Sequence, residues 1–151
     1  MNNRIRIVLD DIETCQSKFP LWSILYVQVE DISFPDQQWF DATTSVLSLW
    51  FPRIASLLVG STDWVQLPFM DGDYSIELKL LKPGCVFAQF VRPKHQIVWE
   101  GEADLRYFAK QLLSAEGKMR VFFADKQNNP QIEELDILAE FLRTVVRKTS
   151  V

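Results

Sequence analysis

The chain has 151 residues, 48% hydrophobic and 24% charged, a length and composition that suit one domain with a sizeable core and exclude the low-hydrophobicity signature of disorder. Its most apolar stretch, Val46 to Val59, is broken by Pro52 and Arg53 and falls short of the roughly 20 residues a membrane span needs. The formal charge of -4 hides a division: residues 7–78 hold eleven carboxylates against Lys18 and Arg53, a net -9, while residues 79–151 carry +3.

A negative field of that kind repels phosphate backbones and anionic headgroups and steers basic partners inward, so neither nucleic acid nor membrane is expected as a partner. Arg6 and Asp10 leave too short an apolar run for a secretory signal. Cys15 and Cys85 match no zinc-ligand or disulfide spacing. Together these point to a reducing, cytoplasmic setting.

In chain order, the alternation of Ile5, Ile7 and Leu9 predicts a strand over residues 4–9, and the β-branched and aromatic run of residues 22–30 predicts a second. Asp41 stands where an N-cap would open a helix with Leu47, Trp50, Ile54 and Leu58 on one stripe, ended by Gly60. Pro52 should kink that helix, because it cannot donate to the carbonyl of Ser48.

Residues 64–79 then read as a hairpin with Asp71-Gly72 at the centre of a type I′ turn. Counting outward pairs Phe69 with Tyr74, Leu67 with Ile76 and Val65 with Leu78, which gathers the apolar side chains on one face. A three-residue loop after Lys82 would align Leu80 with Ala88 and Leu78 with Phe90, and a further turn near His95 would bring Trp99 opposite Phe90.

Leu105, Phe108, Ala109, Leu112 and Leu113 recur at helical spacing, with Gly117 placed to end the helix. Residues 119–124 fit either a strand or a helical extension. Asn129-Pro130 opens a last helix through Leu135, Leu138, Leu142 and Val145. The expected fold is a single α+β domain over residues 1–151: an antiparallel sheet of about five to six strands, one helix between early strands and two C-terminal helices packed on it.

Few residues point to catalysis. The single histidine, His95, lies in a polar loop, so no nucleophile and base pair can be assembled around it. Asp71 and Asp73 flank Gly72 but lack the further ligands of a calcium loop, and no phosphate-cradling glycine motif occurs. No metal, no cofactor and no enzymatic activity are expected. Of the five tryptophans, Trp50 and Trp99 read as core. The pair Trp39-Phe40, in a polar segment between elements, reads as the exposed aromatic candidate, with Trp39 of the kind that anchors protein interfaces.

The plan of two strands, a tryptophan-bearing helix and the phrase Phe69-Met70-Asp71-Gly72-Asp73-Tyr74-Ser75-Ile76 opening a meander resembles the small bacterial immunity proteins of polymorphic-toxin and contact-dependent growth inhibition systems. The resemblance implies a cytoplasmic protein that binds one cognate toxin, often a nuclease, and masks its active site. A nuclease site must be positive to hold phosphate, so clustered carboxylates would speed and tighten its capture. The expected contact residues are Glu30, Asp31, Asp36, Asp41, Asp63, Asp71, Asp73 and Glu77, with Trp39 as anchor. The competing expectation is a small ligand-binding or enzymatic domain with a pocket between the sheet and the late helices, lined by Tyr74, Phe87 and Trp99.

Overall fold

A computed structural model of the chain describes residues 3–12, 21–122 and 130–149. Its strands are β1 (Arg6–Asp10), β2 (Trp22–Val29), β3 (Ile32–Phe34), β4 (Phe40–Ala42), β5 (Trp64–Pro68), β6 (Ser75–Lys82), β7 (Cys85–Arg92) and β8 (Gln96–Asp104). Three helices accompany them: α1 (Thr43–Val59) after the early strands, then α2 (Leu105–Phe122) and α3 (Pro130–Thr149) at the end. The α+β class, the antiparallel pairing and the placement of the helices agree with the sequence.

The strands divide into two four-stranded sheets rather than one. In the first, β2 pairs with β1 on one side and with both β3 and β4 on the other; the second runs β5-β6-β7-β8. Strands β3 and β4 are three residues each, too short to show a period-two pattern. A parallel bridge between Asn3 and Ala103 stitches the sheets, with Asn3 N–H donating to the Glu102 carbonyl and Asp104 N–H donating to the Asn3 carbonyl. Their inner faces meet through Phe34, which stacks on Phe90 at 4.9 Å and meets Phe69 and Tyr74 edge-on.

The β5–β6 hairpin has the register counted from the sequence: Val65 opposite Leu78, Gln66 opposite Glu77, Leu67 opposite Ile76 and Pro68 opposite Ser75, with Phe69 N–H donating to the Tyr74 carbonyl. Its turn differs. Of the two central residues only Gly72 has positive φ, at 88°, whereas a type I′ turn requires both. A buried carboxylate described below takes over the job of fixing the turn.

The β6–β7 register is offset by two residues from the expected one. Leu78 faces Ala88 and Ile76 faces Phe90, because Pro83-Gly84 makes a two-residue connection and a bulge between Leu80 and Lys82 absorbs the difference. A slip of two preserves which face each side chain takes, so the apolar face is unchanged. Trp99 stands opposite Phe90, as expected, at a ring separation of 4.9 Å.

In α1, Leu47, Trp50 and Ile54 are fully buried, and Gly60 closes the helix in the left-handed conformation with its N–H on the Leu57 carbonyl. The helix runs continuously through Pro52. Helix α2 likewise passes through Gly117 instead of stopping, since burial of Ala115 and Met119 on either side holds both turns to the core. Residues 119–122 are thereby helical; 123 and 124 lie outside the described residues. Helix α3 buries Leu135, Ala139, Leu142 and Val146.

Candidate interaction surface

Asp41 was expected both as an N-cap and as an exposed contact residue, and it is neither. The residue capping α1 is Ala42, without a side-chain cap, and Asp41 is 0% exposed. Its carboxylate reaches away from the helix to the β5–β6 turn. Oδ1 accepts from the N–H groups of Ala42 (2.7 Å) and Met70 (3.1 Å), and Asp71 N–H is shared between Oδ1 (3.2 Å) and Oδ2 (3.3 Å). Oδ2 also accepts from Trp39 Nε1 at 2.9 Å. A buried charge is tolerable only when its lone pairs are used in this way.

Trp39 is corrected along with it. It is half-buried against the core, its one polar atom is spent on Asp41, and its ring meets Tyr74 edge-on at 5.0 Å. Trp39 and Asp41 lie two apart beside β4, so extended backbone puts them on one side of the chain; that spacing is the signal by which their bond could have been read. Phe40, the other half of the Trp39-Phe40 pair, is exposed as expected (47%); Trp64 (49%), Phe141 (58%) and Trp22 (39%), which stacks on Phe40 at 5.9 Å, are exposed as well.

The Asp41 clamp joins the β3–β4 segment to the β5–β6 turn, so that Asp36, Asp71 and Asp73, all exposed, belong to one end of the molecule. The reversal Pro93–His95 lies at the same end, because Ser75 pairs with Pro68 on one side and Val91 on the other. His95 is exposed there, with φ of 57°, beside Lys94 with φ of 66°. Gln38 shares this left-handed conformation at 59°. Non-glycine residues held so tend to collect at binding sites.

The other expected residues are more widely placed. Glu30 and Asp31 form the exposed tip between β2 and β3. Glu77 sits half-buried on the outer sheet face, in a row with Gln66, Gln89 and Glu100. Asp63 precedes the opposite end of β5, where its carbonyl accepts from Leu80 N–H, roughly 20 Å from the Asp71 turn at about 3.3 Å per residue. Among the described residues the ion pairs lie within α3, joining Glu140 to Arg143 and Arg147. None of the nine expected contact residues is in one.

Tyr74, Phe87 and Trp99 do not converge on a pocket. Trp99 shares the inner face with Phe90, while Phe87, opposite Glu102, projects to the outer one. An open cleft of about 450 Å³ lies between α1 and β5, lined by Pro52, Arg53, Ser56, Trp64 and Gln66. Its one cation, Arg53, already donates to the Gln66 carbonyl. Among the described residues no group of three or more His, Cys, Asp or Glu is placed to hold a metal, and no helix is long and apolar enough to cross a membrane.

Searches of protein families, curated proteins and solved structures return no match to this chain.

Proposed function

We propose that this chain is a non-enzymatic binding protein of the immunity type, which neutralises a basic toxin, such as a nuclease, by laying an acidic surface over its active site. The observation that supports the reading is that the first-half carboxylates Glu30, Asp31, Asp36, Asp63, Asp71 and Asp73 are exposed and, among the described residues, joined to no cation. Unneutralised carboxylates keep their long-range field and so raise the encounter rate with a cationic partner. The contact surface centres on Asp36, Asp71 and Asp73, with Glu30 and Asp31 extending it; Asp41 and Trp39 hold the loops in place rather than touch the partner. In this reading the protein acts in the cytoplasm, where the toxin acts.

The test is co-expression with the toxin domain encoded beside its gene. Growth should be rescued and an equimolar complex recovered, and the double variant Asp71→Lys, Asp73→Lys should fold normally but rescue poorly. Failure of the unmodified chain both to rescue and to bind would refute the proposal.

A further inference from the structure

Helix α3 is held to the molecule differently from the other two. Helix α1 packs on β2, β4 and β5, and α2 packs on β1, whereas the packing partners of α3 are α1 and α2. Opening α3 would therefore break no strand pairing. An element held by helix packing alone opens at a lower free energy than the paired strands of a core.

A buried carboxyl pair lies in that contact. Glu116 on α2 is buried and faces Asp136 on α3, and among the described residues nothing else is placed to hydrogen-bond its two oxygens or Oδ1 of Asp136. The cations nearby do not neutralise the pair. Arg120, one turn further along α2, is exposed, and Arg143 on α3 is ion-paired with Glu140; among the described residues neither is ion-paired with Glu116 or Asp136. Helix α1 brings a single charge, Arg53, which donates to the Gln66 carbonyl on β5. Among the described residues no third ligand joins the two carboxyls to hold a metal. Two carboxylates so placed repel each other and are poorly solvated, so the closed contact needs a proton between them.

We propose that Glu116 and Asp136 form a proton latch: α3 stays docked on α1 and α2 while the pair holds one proton, and loss of that proton raises the population of a state in which α3 is open and both sheets remain paired. Opening hydrates both carboxyls and returns Glu116 to the ordinary carboxylate range. Between 4.5 and about 8 the closed form therefore binds more protons than the open one. The open population rises by up to about tenfold per pH unit across that window. The latch is complete below 4.5 and lost above about 8. The open state uncovers Leu135, Ala139, Leu142 and Val146, which α3 now buries. This inference is independent of the immunity reading.

Hydrogen exchange of the full chain, followed by mass spectrometry from about pH 6 to 8.5 and divided by the intrinsic rate at each pH, tests it. Peptides from α3 should be less protected than those from β6 and β7 at every pH, with a weaker dependence on urea. Their protection should fall by up to about a hundredfold over the two pH units from 6 to 8. Glu116→Gln should flatten that fall. Asp136→Asn, which removes the like charge and leaves the burial, should reduce it. Amides of α3 as protected as those of β6 and β7 would show that the helix opens only with the whole fold, and a fall that survives Glu116→Gln would place the proton elsewhere. Either result overturns the proposal, as does α3 protection that is constant with pH; if Glu116→Gln does not fold, an unchanged fall in Asp136→Asn overturns it instead.

Discussion

Replacing Glu116 with glutamine should stabilise the protein by an amount that grows with pH. Glu116 projects from α2 toward α3, is 1% exposed and faces the carboxyl of Asp136 on α3; among the described residues no group other than that facing carboxyl is placed to hydrogen-bond its two oxygens or Oδ1 of Asp136. Burial and the neighbouring Asp136 push the Glu116 pKa from 4.5 up to about 8, against the opposing pull of Arg120 on α2 and Arg143 on α3. At neutral pH the folded protein therefore keeps a proton there, shared between the two carboxyls, that the unfolded chain has released. The contribution is fully favourable below 4.5, fades as pH rises, and levels off above about 8.

At about 1.4 kcal/mol per pH unit, the cost accumulated from 4.5 to pH 7 is at most about 3.5 kcal/mol, and by pH 8 at most about 5 kcal/mol. Glutamine keeps the volume and supplies an N–H₂ donor to Asp136 without a proton to lose. Thermal unfolding of both proteins from pH 4.5 to 8.5 should give melting curves that coincide at the acid end and separate by up to roughly 10–20 °C at the alkaline end, at a few degrees per kcal/mol for a chain of this size. Using the difference between the proteins removes the general effect of the acidic surface, which acts on both. Parallel melting temperatures across the range would show that the Glu116–Asp136 pair does not hold a proton.

Asp41→Ala should cost about 3 kcal/mol in urea unfolding, because it strips a charged acceptor from the Ala42, Met70 and Asp71 amides and from Trp39; Asp41→Asn, which retains one acceptor oxygen, should cost about half as much. A loss no greater than that of an ordinary surface substitution would mean the clamp is not structural. Gly72→Ala should cost about 1 kcal/mol or more, since φ is 88° and the added Cβ would lie 3.0 Å from the Tyr74 ring; an unchanged urea midpoint would show that the turn relaxes freely.

Where local chemistry and alternation agreed, the fold was legible. Residues 64–79 gave the observed register, and Gly60 marked a helix end that the structure bears out. Legibility failed where the deciding partner was distant in sequence. The Asp41-Ala42-Thr43 phrase has the composition of a helix cap, but the amides that claim its carboxylate lie 29 and 30 residues away. Gly117 has the composition of a stop, yet packing around it overrides propensity. The bulge beside Leu81 leaves no mark in the sequence, and together with the two-residue Pro83-Gly84 connection it moves the β6–β7 register by two residues from the expected one. Of the surface, the excess of carboxylates could be read in advance; which of them share an end of the molecule could not, because the Asp41 clamp that unites them is a tertiary contact.

The proposed acidic surface is tested most directly by stopped-flow binding to the purified toxin domain that the proposal expects to be encoded beside the gene. Association should slow steeply with added salt, and Asp36→Lys, Asp71→Lys, Asp73→Lys together should slow it by about tenfold or more at low salt while leaving the melting temperature within a few degrees. An association rate indifferent to salt and to those three substitutions would contradict it.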